Sequence, residues 1–390
     1  MRREILRRNV KKIVNGKLFK ILCIILIAFL IVIAITFNAY EILFITLCAS
    51  ILFFIFFYKI LFGINIINLD KIKKCYLYRK YKKNVENDEL YCKNLNIHTF
   101  DGTGELTHPS VIYFENGFMG YKYWMVHTPY HNCRLCLENP SLVVSNDGVN
   151  FEKLENVKDP LLEIIDCNNP KTYYNDPNLI YTDKLEIWYR YTIEYDDKEN
   201  DHFVYRITSS DGRNWSKPEI ILTDKAEKMC YMSISLIYEC NEYKLYYFNK
   251  NNIYVRKSKD LICWSAPELI RIENYKGDLW HGEVKKYDNT YYILFIDRKY
   301  GLFMAESKDG LVYGKTKKIN FICDSKDYFY VKNVLYKSSF IIKDDYILFY
   351  VPFRFDNVRL FKVNEVMNNR WYITISKIRR KNLDKYVMYV

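Results

Sequence analysis

A strand pattern repeated between residues 107 and 363 constrains this chain more than any other feature. Each unit opens on a polar cluster, enters an apolar strand and turns into an aromatic-rich strand. A third strand then closes on Ser-x-Asp-x-x-x-aromatic. The first copy is THPSVIYF (107–114), YKYWMVHTPY (121–130) and ENPSLVVSNDGVNF (138–151). The second is YNDPNLIY (174–181), KLEIWYRYT (184–192) and FVYRITSSDGRNW (203–215). The third is MSISLIY (232–238), EYKLYYFN (242–249) and IYVRKSKDLICW (253–264). The fourth is LWHGEVKKY (279–287), NTYYILFID (289–297) and GLFMAESKDGLVY (301–313). A degenerate fifth runs through YKSSFIIK (336–343), DDYILFYVPF (344–353) and VRLFKV (358–363). Alternation of Tyr, Ile, Leu and Val at period 2 is a strand signature. In the closing segment Asp caps its own backbone and Gly takes positive φ, which makes a tight turn. Ser145, Ser209, Ser258 and Ser307 lie 64, 49 and 49 residues apart. Repeats of this length, made of four short strands, are propeller blades. Five of them predict an all-β body at 101–390, a five-bladed β-propeller whose turn aspartates are structural.

The net charge of +12 invites a nucleic-acid reading. Its distribution removes the main support for one. Residues 1–83 carry +13 and residues 84–390 carry −1. The basic excess flanks two uncharged stretches, 21–40 and 42–58. A helix needs about 20 residues to cross the hydrocarbon core, so 21–67 is expected to form a two-helix transmembrane hairpin. A basic terminus at 1–20 precedes it and a basic linker at 68–100 follows. Residues 95–100 are a candidate strand to close the ring. Lys and Arg on both flanks, and none at the 38–41 turn, place both ends in the cytoplasm. The expected location is therefore the cell membrane, with the propeller on its cytoplasmic side. Eleven cysteines without regular spacing suit a reducing compartment.

The units resemble the five-bladed propellers of glycoside hydrolase families 43 and 32. SKDLICW (258–264) is similar to a family 43 segment, and NDPN (175–178) to the family 32 invertase motif. The resemblance covers about 100–365. It implies a carbohydrate substrate, with carboxyl groups at the starts of blades 1, 2 and 3. Here those positions hold His108, Asp176 and Ser233, so two of the three family positions are altered.

Propeller geometry directs attention to the starts of first strands and to the connections between second and third strands. Glycoside hydrolysis needs two carboxyl groups, one acid and one base or nucleophile. Asp176 is the first candidate, with Glu138 and Glu283 as partners. Candidates for sugar contact are His108, Asn139, Asn175, Arg190, Trp280, His281, Asp297, Arg298 and Arg354. The arginines suit anionic groups. The loop HTPYHNCRLC (127–136) holds two His and a C-x-x-C, but its spacing matches no zinc module and reads as a surface loop with free thiols. No cofactor is required; by resemblance, calcium could sit near His281 at the axis. Three readings stay open: a membrane-anchored glycosidase acting on a cell-envelope polysaccharide, a non-catalytic glycan-binding propeller, and a membrane scaffold for a protein partner.

Overall fold

The computed structural model describes residues 93–167, 172–195, 198–223, 229–299, 301–319, 332–356 and 370–380. The membrane hairpin expected at 21–67 lies outside them. Among the described residues no helix is long and apolar enough to cross a membrane. The propeller belongs to a compact unit spanning Tyr81–Val390.

Five antiparallel sheets make the five blades. Their inner strands are Leu106–Phe118, Thr172–Tyr181, Met232–Glu239, Leu279–Tyr287 and Ser339–Ile342. In blades 1 to 4 the chain then moves outward strand by strand. Blade 5 differs. Its third strand is Trp371–Arg379, not the VRLFKV run at 358–363, which lies outside the described residues. Its outermost strand comes from the other end of the propeller: Lys93 pairs with Ile375 and Asn94 with Thr374, and the Leu95 N–H donates to the Ile373 carbonyl. The ring closes two residues earlier than the sequence predicts.

Five apolar clusters fill the seams between blades. Trp124 and Val144 of blade 1 meet Ile187 and Tyr189 of blade 2. Trp188 and Val204 meet Leu236 and Leu245 at the next seam. Similar clusters join blade 3 to 4 and blade 4 to 5. The last seam brings Val111 and Met125 against Leu348, Tyr350 and Ile373. Every blade thus buries both faces. Burial of one large apolar side chain is worth about 1.5–3 kcal/mol, which makes the seams the main source of cohesion.

The Ser-x-Asp turns are structural, as the sequence predicts. In each, the Ser hydroxyl donates to the Asp carboxylate, which accepts two backbone N–H groups. Gly212 shows why one of these turns needs glycine. Its φ is +74°, and an added Cβ would lie 2.4 Å from the Trp124 ring.

Candidate functional site

The inner strands bend at matching places. Their pairing registers shift between Thr107 and Ser110, Asn175 and Asn178, Met232 and Ser235, and Leu279 and His281. At three of these bulges a non-glycine residue is left-handed: His108, Asp176 and Ser233, with φ of 52°, 53° and 52°. Such conformations cost on the order of 1–3 kcal/mol and persist where the surrounding structure holds them. The five blade starts align as THPS, NDPN, MSIS, WHGE and YKSS. The second residue of each tetrad builds one ring about the axis, and the fourth builds another.

The first ring is His108, Asp176, Ser233, His281 and Lys337, all buried. His108 Nε2 lies 3.5 Å from Asp176 Oδ1, and His281 Nδ1 lies 3.7 Å from the same oxygen. Ser233 Oγ is hydrogen-bonded to His281 Nδ1 at 2.6 Å. Lys337 Nζ donates to the carbonyls of Asp176 at 3.1 Å and Pro177 at 2.6 Å, which secures the left-handed turn. Arg190 Nη2 stands 3.4 Å from Asp176 Oδ2, while its Nε donates to Asn175 Oδ1 at 2.8 Å. From blade 1, Glu138 reaches within 3.7 Å of His108 Nδ1.

The second ring is a structural belt. Glu283 accepts hydrogen bonds from Ser110 at 2.8 Å, Asn178 at 3.3 Å and Ser339 at 2.6 Å, and Lys285 Nζ lies 3.2 Å away. Asn178 Oδ1 accepts the Leu236 N–H, and Ser235 Oγ accepts the Val284 N–H. Both Glu283 oxygens are thus committed to holding blades together. The sequence candidate for an acid occupies a scaffold position.

Electrostatics divides the two remaining carboxyl groups. Burial pushes Glu138 well above the usual carboxylate range, and the Asp176 charge adds to that shift. Burial acts the same way on Asp176, but Arg190, the two imidazoles and Lys337 outweigh it and hold its carboxyl below the usual range. Burial lowers His108 far below its ordinary value, and His281 to about 3. Burial also brings Lys337 down to about 8, although Asp176 and Glu283 oppose the shift. Burial and charge thus drive the two carboxyl groups apart, Glu138 toward its neutral form and Asp176 toward its carboxylate, beside two imidazoles kept neutral by burial and the cations Arg190 and Lys337. His108 Nε2, His281 Nε2 and both Asp176 carboxyl oxygens make no hydrogen bond of normal geometry among the described residues. Buried polar atoms normally find partners; here Asp176 relies on the charges of Arg190 at 3.4 Å and on His108 at 3.5 Å instead.

Aromatic rings roof this cluster. Tyr336 packs 4.7 Å from the His108 ring and 4.5 Å from the His281 ring, with Trp280 edge-on at 4.9 Å. Arg298 lies over Trp280, and Arg354 over Trp371, which in turn meets Tyr336. Asn139 and Asp297 serve their own loops. Asn139 bonds the backbone of Leu162 and Glu163, and Asp297 accepts from Tyr275, Asp278 and Lys299. Lys337 and Tyr336 were not among the candidates read from the sequence, although they open the fifth unit. Alignment of YKSS with WHGE was the signal that could have found them.

One further expectation changes. Cys136 is not a free thiol but forms a disulfide with Cys167, while Cys133 is free. No group of three or more His, Cys, Asp or Glu that could hold a metal ion is found among the described residues.

No family model matches the sequence. A 119-residue stretch is 33% identical to an A type blood N-acetyl-alpha-D-galactosamine deacetylase of Flavonifractor plautii, covering 29% of this chain and 15% of that protein. A solved N-acetylgalactosamine deacetylase from F. plautii superposes with a TM-score of 0.63 at 16% identity, covering 77% of this chain and 97% of that one. A xylan beta-1,4-xylosidase from Bacillus halodurans gives 0.50 at 13% identity, over 75% and 54%. The chain has the five-bladed propeller fold found in carbohydrate-active enzymes. The resemblance expected from the sequence holds at that level.

Proposed function

We propose that the axial cluster hydrolyses an acyl group, an acetamide or acetyl ester, on a sugar. The observation that carries this reading is the sign of the charge. Beside the Asp176 carboxylate stand two cations, Arg190 and Lys337, and burial favours the neutral form of the second carboxyl group, Glu138. A positive surplus stabilises an oxyanion as it develops on a carbonyl. It opposes the oxocarbenium character that develops when a glycosidic bond breaks. In this reading Asp176 activates water, Glu138 donates a proton to the leaving nitrogen or oxygen, and Arg190 and Lys337 counter the oxyanion. Similarity to a deacetylase supports the same choice.

A second reading, hydrolysis of a glycosidic bond in a cell-envelope polysaccharide, is favoured by the Glu138–Asp176 pair itself. Two carboxyl groups driven to opposite protonation states are the acid and base such enzymes use. One experiment separates the two. The purified chain is incubated with an N-acetylgalactosamine-bearing oligosaccharide and, in parallel, with p-nitrophenyl xyloside and arabinofuranoside. Acetate release that disappears in Asp176→Asn supports acyl hydrolysis; nitrophenol release without acetate transfers the site to glycosidic cleavage.

We further propose that residues 21–67 anchor the propeller in a membrane. The uncharged stretches and their basic flanks support this. Lys/Arg placement favours the cytoplasmic side, whereas the Cys136–Cys167 bridge suits an oxidising one. A C-terminal alkaline phosphatase fusion decides: activity in intact cells puts the propeller outside.

A further inference from the structure

A second cleft, of about 430 Å³, lies between blades 1 and 2, away from the axis. Its volume is within the usual range for small-ligand sites, about 300–1,000 Å³. Tyr174, Tyr189 and Trp215 give it an aromatic lining, and Lys158, Arg213 and Lys217 bring three cations to it. Glu163 is the one acid among its lining residues. This surplus is local, because residues 84–390 as a whole carry −1. None of the three cations forms an ion pair among the described residues, although other basic side chains of blades 2 and 3 do.

The lining is fixed by its surroundings. Trp215 Nε1 donates to the Gly212 carbonyl at 3.0 Å, so the indole has one orientation. Tyr174 stacks on Tyr191 at 5.2 Å and meets Tyr189 edge-on. The walls also connect to the axial site. The Tyr174 N–H donates to the Glu138 carbonyl, Asn139 donates to the Glu163 carbonyl, and the Leu161 N–H donates to the Pro140 carbonyl. Asp176 follows Tyr174 by two residues on the same strand.

We propose that this cleft binds an anionic sugar unit, one bearing a carboxylate or a phosphate. Aromatic faces accept the apolar C–H face of a sugar ring, and a guanidinium accepts a carboxylate or phosphate in bidentate fashion. The inference rests on the reading of the axial site as carbohydrate-active, and it names the substrate class: an anionic glycan whose units lie across both places.

The test is calorimetric titration of the full chain in detergent with three probes: trigalacturonate, glucose 1-phosphate and neutral xylotriose. Saturable binding of trigalacturonate or glucose 1-phosphate is expected, the stronger of the two identifying the anionic group. It should weaken as salt rises, because exposed charges are screened. The double substitution R213Q/K217Q, at partly or fully exposed positions, should weaken binding at least tenfold and leave circular dichroism unchanged. R213Q/K217Q should leave acetate release from the neutral N-acetylgalactosamine oligosaccharide unchanged, so that anion binding and acetate release are lost separately and failure of this inference is distinguished from failure of the axial assignment. Binding of neither anion, equal binding of xylotriose, or indifference of anion binding to R213Q/K217Q would each overturn the proposal.

Discussion

His108 stands between two carboxyl groups whose surroundings shift them in opposite directions, its Nδ1 3.7 Å from Glu138 and its Nε2 3.5 Å from Asp176. Because burial keeps the imidazole neutral, it separates the groups without discharging either. The roles of acid and base follow from that separation, and they can be tested one at a time.

Glu138→Gln and Asp176→Asn should differ in kind. General acid–base groups contribute about 10²- to 10⁴-fold. Glu138→Gln keeps a neutral hydrogen-bonding side chain and should reduce acetate release within that range. Asp176→Asn removes the one ionised carboxyl group beside Arg190 and Lys337 and should reduce it further. Initial rates on the N-acetylgalactosamine oligosaccharide measure both; equal rates for Asp176→Asn and wild type would remove Asp176 from the chemistry.

Lys337 sets an alkaline limit. Its ammonium, held on the Asp176 and Pro177 carbonyls, loses a proton at about pH 8, so one positive charge beside Asp176 disappears above that pH. kcat/KM should fall between about pH 8 and pH 10 in the wild type. Lys337→Met should have low activity throughout and lack that limb. An unchanged limb in the variant would assign it to another group.

Acid should destabilise the propeller before its carboxylates titrate. His281 and His127 are buried and neutral, with pKa lowered to about 3 and about 4. The unfolded chain takes up protons on both below its ordinary histidine value of 6.5, and the folded chain does not. Stability is therefore lost as pH falls from 6.5 toward 4, by roughly 1.4 kcal/mol per unit for each histidine. His127 makes no side-chain hydrogen bond among the described residues, so His127→Leu should flatten the slope by about one histidine's share. Urea midpoints between pH 7 and 4.5 would show it.

The belt around Glu283 should matter for stability. Glu283→Ala would strip partners from Ser110, Asn178 and Ser339 and leave the Lys285 charge without its carboxylate. Breaking such a buried pair costs about 3–5 kcal/mol. The urea midpoint should drop accordingly. A midpoint within error of wild type would mean the rings of blades do not depend on this belt.

The blades were legible because their information is local. Period-2 alternation and the Ser-x-Asp turns in SKDLICW and SSDGRNW are written in short contiguous segments. His108, Asp176 and His281 could be read as axial from their place at strand starts. Glu283 could not be placed correctly, because it shares its strand face with His281 while its partners come from three other blades. Lys337 was hidden by its residue type, since lysine is rarely fully buried. Glu138 is buried next to a loop that Asn139 ties back to the Glu163 carbonyl, a contact no sequence period encodes.

The shared last blade also sets an order of events. Blade 5 needs Lys93–Asn94 from the start of the propeller and Trp371–Arg379 from its end. During synthesis, blades 1 to 4 can form as an open arc, with the blade-1 side of the last seam, Val111 and Met125, still waiting for Leu348 and Ile373. Chains are made at about 5–20 residues per second and fold as they emerge. The arc thus carries an apolar edge until almost the whole propeller has left the ribosome. A ribosome that stalls before Trp371 would release a molecule with that edge uncovered, making incomplete chains natural clients of chaperones and proteases.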